Sequence, residues 1–170
     1  PRVVVPRGEL AGFERTTIQV YQACKDSVVH ITTRRRAASG FGFGNAEAGS
    51  GSGFLWDDRG TIVTNWHVVK DAEKITVYRG DGEYEARAIQ GSPDYDLAAI
   101  QLLDPPSGLR PIPLGSSGDL QVGQTVLAIG NPFGLDQSLT TGVISALDRT
   151  VPTEGAILRG AIQNDASINP

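Results

Sequence analysis

His67 and Asp96 are the residues of this sequence whose types and positions best suit proton transfer. His67 follows the β-branched run Thr61–Asn65, and Asp96 directly precedes the apolar run Leu97–Leu102. An imidazole titrates near neutral pH and can take and return a proton. A carboxylate bound to its Nδ1–H fixes the tautomer and stabilises the imidazolium. The two residues together have the chemistry of a nucleophile-activating pair, although a lone histidine at a strand end is far more often structural.

The other reactive residues lack the context of a nucleophile or a ligand. The serines in glycine-rich turns do not fit the G-x-S-x-G elbow; they are Ser50, Ser52, Ser116 and Ser117. Cys24 is interpreted as a small apolar residue. His30 is interpreted as a strand residue that faces solvent or has a satisfied partner. Gly49–Gly53 lacks the Gly-Lys-Ser/Thr ending of a phosphate-binding loop, which argues against nucleotide binding.

Composition excludes several classes of protein. The 170 residues include 21 glycines and 10 prolines, so turns are abundant, and the apolar runs are too short to span a bilayer. The net charge is −4, whereas a nucleic-acid-binding protein is usually basic. Two histidines and one cysteine form no zinc-type cluster, so neither a metal nor a cofactor is expected. The chain has no methionine, and we expect it to be part of a longer or processed product.

Short strands are the elements that must position these residues. Residues 1 to about 12 are expected to form an extended arm, and Thr16–Asp26 predicts a short helix with Thr16 or Thr17 as N-cap. The aperiodic stretch Arg34–Gly49 predicts a long loop. Strands are predicted at Ser27–Thr33, Ser52–Trp56, Thr61–Asn65, Lys74–Tyr78, Glu83–Gln90, Leu97–Leu102, Thr125–Ile129, Ser138–Ala146 and Ala161–Asn164.

These strands form two unequal groups, separated by a linker at Asp104–Gly108. The first group has enough strands to close a small barrel, whereas the second would leave an apolar face and a free edge. We therefore divide the chain into an N-terminal arm with a short helix (1–22), a first β-barrel (23–106) and a partial second β-barrel (107–170). The second group is expected to be completed by further residues of a longer protein or by another chain.

Five motifs occur in this order along the chain: Thr64–Val69, Asp96–Ala98, Ala128–Gly134, Thr140–Ser145 and Gln163–Pro170. Together with Gly49–Phe54, they resemble the HtrA (Deg) family of trypsin-like serine proteases. The resemblance extends from about Thr16 to Pro170. It implies an all-β, trypsin-like double β-barrel with catalytic groups in the cleft between the barrels, the first barrel complete and the second truncated in this chain.

The resemblance also implies roles for individual residues. His67 is expected to be the general base and Asp96 its orienting acid. Asp94 is the alternative acid, but the family's acid directly precedes Leu-Ala, so Asp94 is interpreted as a turn residue. Ile168 and Asn169 are expected to bind substrate at the S1 pocket, where an apolar lining favours a small or medium aliphatic P1 residue. An equally weighted interpretation places Ile168 in an ordinary core.

The sequence departs from the family at the nucleophile. In the family, Asn-Pro is followed by Gly-Asn-Ser-Gly-Gly, which supplies the serine and the oxyanion-hole amides, whereas the last residues here are Asn169 and Pro170. The nucleophile is therefore expected beyond Pro170. This chain alone is expected to be inactive, because losing a nucleophile costs on the order of 10⁶ in kcat.

For the protein as a whole, the resemblance implies a serine endopeptidase of protein quality control that degrades unfolded or damaged polypeptides through an acyl-enzyme. It implies a homotrimer or higher oligomer held through Glu9–Tyr21, C-terminal PDZ domains, and a periplasmic or other extracytoplasmic or organellar compartment. Arg34–Gly49 and Arg149–Arg159 resemble the family's loops LA and L3, with a simple solvated loop as the alternative interpretation of each. The alternative function is a pseudoprotease or clipped fragment that binds unfolded polypeptides as a scaffold or chaperone.

Overall fold

The computed structural model describes residues 8–36, 45–131, 137–153 and 156–168. Within these ranges no helix is long and apolar enough to cross a membrane. The helices are α1 (Gly12–Cys24) and the one-turn α2 (Trp66–Val69), with 3-10 turns at Lys25–Ser27 and Pro93–Tyr95. The strands are β1 (Val28–Arg36), β2 (Asn45–Leu55), β3 (Thr61–Asn65), β4 (Lys74–Arg79), β5 (Gly82–Ser92), β6 (Leu97–Leu102), β7 (Thr125–Gly130), β8 (Ser138–Thr153) and β9 (Ala156–Asn164).

Helix α1 begins earlier than the sequence predicted. Its N-cap is Ala11, in an extended conformation, rather than Thr16 or Thr17. The Glu14 carboxylate accepts a hydrogen bond from the Ala11 N–H at 2.7 Å, which satisfies a free donor at the helix start. Thr16 is already inside the helix, where its hydroxyl donates to the Gly12 carbonyl at 3.1 Å. The expected cap was wrong because a threonine can also bond back to the preceding turn.

The first six strands close into an antiparallel barrel in the order β1-β2-β3-β6-β5-β4. Buried and less buried residues alternate along β3 and β6, as expected for strands with one face on a core. The barrel predicted for the first strand group is confirmed. Leu109, just after the predicted linker, is also part of its core. That core consists of Val29, Ile31, Leu55, Ile62, Val68, Val69, Ile75, Val77, Ala98, Ile100, Leu102 and Leu109.

Part of the predicted loop Arg34–Gly49 is strand instead. β1 continues to Arg36 and β2 begins at Asn45, and these two residues face each other in the ladder. A register shift at Thr33 and Arg34 marks a bulge in β1. Asn, Gly and Ala have low β propensity, so the strand forms here through pairing with β1 rather than through local preference. Residues 37–44 of this expected loop lie outside the described residues.

The remaining strands form a three-stranded antiparallel sheet in the order β7-β8-β9. In its β7–β8 hairpin, Thr125 faces Val143 and Gly130 faces Ser138. β8 and β9 are longer than predicted, and their pairing is interrupted by several register shifts. The chain thus has one closed barrel and a partial second sheet, as the sequence predicted.

Gly53 is a position where the barrel leaves no room for a side chain. A Cβ there would lie 2.8 Å from Ile31 Cδ1 and 2.9 Å from Ile62 Cγ2, closer than carbon atoms can pack. We predict that Gly53→Ala lowers the free energy of unfolding by about 1–3 kcal/mol, measured by urea denaturation. Gly115→Ala is the control, since nothing lies within 4 Å of its Cβ position. An equal effect of the two substitutions would contradict this account of β2.

Candidate active site

His67 and Asp96 are brought together by the pairing of β3 with β6. Asn65, the last residue of β3, faces Leu97, the first residue of β6. His67 follows on α2 and Asp96 precedes β6 after a 3-10 turn, so both residues extend from the same edge of the barrel. Val68, a residue of α2, is buried in the barrel core and anchors that helix there.

The Asp96 carboxylate makes two contacts with His67. Oδ2 lies 2.7 Å from the ring Nδ1, and Oδ1 accepts the His67 backbone N–H at 2.9 Å. Because an ionised carboxylate can only accept, Nδ1 carries the proton, and Nε2 of the neutral ring keeps a lone pair. The His67 side chain is 64% exposed, which leaves Nε2 accessible, while the Asp96 side chain is 32% exposed.

The segment Asn65–His67 also fixes the main chain of Asp96. The Asn65 amide donates to Asp96 Oδ2 at 3.1 Å and to its carbonyl oxygen at 3.2 Å. The Trp66 backbone N–H donates to the same carbonyl at 3.0 Å. Asp96 has φ 50° and ψ 41°, a left-handed conformation that is uncommon outside glycine and asparagine or aspartate. These contacts hold the strained residue and aim its carboxylate at the imidazole.

The same contacts set the charge state of Asp96. Partial burial acts to raise the pKa of this carboxyl group. The hydrogen bonds from the His67 backbone and ring, the positive charge of His67 when it is protonated and the Asn65 amide outweigh burial and hold the pKa of Asp96 below its ordinary value. Asp96 is therefore ionised at neutral pH, as an acceptor for Nδ1–H must be.

A cleft of about 620 Å³ separates His67 from the second sheet. Its barrel side includes Ser50, Ser52 and His67, and the facing side includes residues of the β7–β8 hairpin and Ile168. Ile168 is 71% exposed in this chain. The preceding residue is held by Thr140, whose hydroxyl donates to the Ser167 carbonyl at 2.7 Å. Asn169, the other expected substrate-binding residue, lies outside the described residues.

The remaining candidates are not part of this pair. Asp94 is exposed in the 3-10 turn, while both carboxylate contacts to His67 come from Asp96. His30 is buried, and its ring is hydrogen-bonded to the backbone of Asn131 just after β7, which confirms the interpretation that it has a satisfied partner. Cys24 is a half-buried free cysteine. The sequence interpretation missed Asn65, although its position directly before the histidine segment was a signal that its amide would reach the acid.

Comparison with known proteins decides the family. Residues 51–170 match the family described as trypsin-like peptidase domain. Over 173 residues the chain is 44% identical to Protease Do-like 1, chloroplastic, of Arabidopsis thaliana, covering 99% of this chain and 39% of that protein. The chain belongs to the HtrA (Deg) family of trypsin-like serine proteases.

Two further Deg relatives agree with this assignment. A probable periplasmic serine endoprotease DegP-like of Pseudomonas fulva is 41% identical over 141 residues, which cover 82% of this chain and 29% of that protein. The crystal structure of Deg5 superposes with a TM-score of 0.80 at 36% identity, covering 95% of this chain and 78% of that one. The trypsin-like fold expected from the sequence is therefore confirmed. The chain spans about two fifths of the length of the Arabidopsis Deg protein.

The lowered pKa of Asp96 predicts how stability depends on pH. The pKa of Asp96 in the folded chain lies below its ordinary value of 3.8. The contribution of Asp96 to the free energy of unfolding is therefore complete above the ordinary pKa. It is lost as the pH falls through the folded pKa. The free energy of unfolding, measured by urea denaturation, should decrease as the pH falls from about 5 to 2. We predict that this decrease is smaller in Asp96→Asn than in wild type. Part of the decrease should remain in the variant because of a second carboxylate, Asp57. Hydrogen bonds from Thr61 and Arg59 outweigh its burial and lower the pKa of Asp57 as well. An unchanged acid dependence would contradict the prediction.

The indole ring of Trp66 lies directly on the backbone of Gly91 in β5. A Cβ at Gly91 would overlap the six-membered ring of Trp66. We predict that Gly91→Ala lowers the free energy of unfolding by about 1–3 kcal/mol. In the Trp66→Ala background the same substitution should cost much less, because the overlapping ring is gone. A double-mutant cycle in urea measures this difference, and strict additivity would show that the two residues do not interact.

Proposed function

We propose that the protein to which this chain belongs is a serine endopeptidase, with His67 as general base and Asp96 as the acid that orients it. The observation that carries this proposal is the 2.7 Å contact between His67 Nδ1 and Asp96 Oδ2 beside an open cleft. The family assignment supports it, since the related proteins are named as serine proteases. The relatives are longer than this chain, so the activity is assigned to the complete protein.

The chemistry follows from the direction of the hydrogen bonds. Asp96 accepts Nδ1–H, so the Nε2 lone pair of His67 is free to take the proton of a serine hydroxyl. The serine oxygen then bonds to the peptide carbonyl carbon, and Asp96 stabilises the imidazolium that forms. His67 returns the proton to the leaving amine. Water subsequently hydrolyses the acyl-enzyme with the same base.

We place the nucleophile in a Gly-Asn-Ser-Gly-Gly motif that follows Pro170 in the complete protein. The 170-residue chain on its own is then inactive. Loss of the nucleophile costs on the order of 10⁶ in kcat, and loss of an oxyanion-hole donor about 10²–10³, although the two effects do not simply add.

Ile168 and Asn169 are proposed to line the S1 pocket. The position of Ile168 at the cleft, with its side chain largely exposed, is compatible with a contact to substrate. An apolar wall would leave a charged P1 side chain without a partner, which favours a small or medium aliphatic residue. Unfolded or damaged polypeptides would present such residues, so protein quality control is the proposed role.

Helix α1 is proposed to form the oligomer contact of a homotrimer or higher assembly, within Glu9–Tyr21. None of its residues is buried in this chain, and Phe13 is 75% exposed. PDZ domains are proposed for the remainder of the protein. The named relatives are chloroplastic or periplasmic, which supports an organellar or extracytoplasmic compartment.

Removing the Asp96 charge from the complete protein tests the proposed roles. We predict that Asp96→Asn lowers kcat for casein cleavage by about 10⁴, because the amide favours the wrong imidazole tautomer. Asp94→Asn is the matched control: it removes the same charge from an exposed position two residues away and should leave kcat unchanged. His67→Ala should abolish turnover.

A fluorophosphonate probe distinguishes the peptidase from its alternative. An active enzyme takes up one probe molecule at serine, and His67→Ala prevents this. If the complete wild-type protein takes up no probe but still binds unfolded casein, the chain belongs to a pseudoprotease scaffold. A loss of less than tenfold in Asp96→Asn would mean that another group orients His67.

A further inference from the structure

The β7–β8 hairpin forms the wall of the cleft that faces His67. Ala128, Ile129 and Gly130 line it from β7, and Ser138 and Thr140 from β8. The hairpin belongs to the second sheet, whereas His67 and Asp96 extend from the barrel. Contacts between hairpin and barrel therefore set the width of the cleft.

One such contact is made by His30, a histidine that the proposed chemistry does not use. His30 lies on β1 and is 6% exposed. Its Nδ1 is 2.7 Å from the carbonyl oxygen of Asn131, the residue after β7. A carbonyl can only accept, so Nδ1 of His30 carries the proton. The Tyr78 ring, with its centroid 5.9 Å away, packs beside the imidazole and limits its rotation.

A second hydrogen bond binds the backbone N–H of Asn131. The Asn131 N–H donates to Ser52 Oγ at 2.9 Å. Ser52 on β2 is the direct cross-strand partner of His30 on β1, so the two side chains lie next to each other on one face of the barrel. Together they bind both the N–H and the C=O of Asn131. We call this arrangement of His30, Ser52 and the Asn131 backbone the clasp.

The other stem of the hairpin is also attached to the first part of the chain. The Gln137 amide, just before β8, donates to the Lys25 carbonyl at 3.1 Å. The two attachments differ in kind. Gln137 is bound through its flexible side chain and through its carbonyl, which accepts from the Tyr21 hydroxyl at 3.4 Å. Asn131 is held by barrel side chains at both its backbone N–H and its backbone C=O.

We propose that His30 and Ser52 are positioning residues that hold the β7–β8 hairpin at the distance from His67 that peptide cleavage requires. This inference rests on the proposed peptidase function. Neither residue needs to touch the reacting atoms. Their effect comes from geometry, because a displacement of about 1 Å between reacting groups can cost a factor of about 10² in rate.

The chain offers a matched pair of substitutions at position 30. His30→Asn keeps an N–H donor near the place of Nδ1, whereas His30→Phe keeps a planar ring without any donor. In the complete protein, we expect His30→Phe to lower kcat for a short peptide by about 10- to 100-fold with a smaller change in KM. His30→Asn should restore most of the loss. Adding Ser52→Ala to His30→Phe should reduce kcat by less than the single effects predict, because the two residues act as one unit.

A control separates positioning from stability. Ile31 is the neighbour of His30 on β1 and is fully buried in the barrel core. Ile31→Val should reduce the melting temperature and leave kcat unchanged at a temperature where both proteins are folded. Wild-type kcat in His30→Phe, or equal losses in His30→Phe and His30→Asn, would overturn the proposal.

Hydrogen exchange provides a readout that does not depend on activity. In the complete protein, the Asn131 amide and the β7 amides should exchange faster in His30→Phe than in wild type, while β3 and β6 should be unaffected. If the wild-type protein takes up no fluorophosphonate, the proposed peptidase function is wrong. Hydrogen exchange is then the measurement that tests whether the clasp holds the hairpin. Faster exchange confined to the hairpin would then support the clasp, and unchanged exchange would overturn it.

Discussion

The ladder between β3 and β6 is the constraint on which the site depends. It places Asn65 opposite Leu97 and so brings the segment before His67 next to the segment that contains Asp96. Among the residues that the structure describes, the hydrogen bonds to the Asp96 carboxylate all come from Asn65–His67. A slip of one residue in this ladder would turn every side chain of the shifted strand to the opposite face and separate the pair. The apolar core of the barrel therefore also fixes the register of the catalytic candidates.

The strands that position the site could be predicted from the sequence because their patterns are local. Thr61–Asn65 is rich in β-branched residues and Leu97–Leu102 is a short, mainly apolar run, and the predicted bounds match the structure. Helix α2 was not predicted. Its four residues include two valines and are too few for a helical period, and it forms because Val68 and Val69 reach the core.

Contacts between distant parts of the chain could not be predicted from the residues themselves. The contact from His30 to Asn131 joins residues 101 positions apart, and neither residue shows a local sign of its partner. The early part of β2 depends in the same way on pairing with β1. The pairing of His67 with Asp96 was predictable because the spacing of several motifs resembles one family, not because of either residue alone. Contacts between residues that are distant in the sequence can therefore be predicted only when a protein with a similar arrangement of motifs is already known.

The hydrogen bonds to the Asn131 backbone determine which substitutions position 131 can accept. His30 and Ser52 bind only the N–H and C=O groups, which every residue except proline possesses. Position 131 can therefore change its side chain while the attachment survives, whereas a proline there would remove the donor. Within the described residues, the buried Asn131 Oδ1 has no hydrogen-bond partner, so this oxygen adds no hydrogen bond to the attachment. The attachment therefore depends on the side chains of His30 and Ser52 in the barrel, but only on the backbone of residue 131 next to the hairpin.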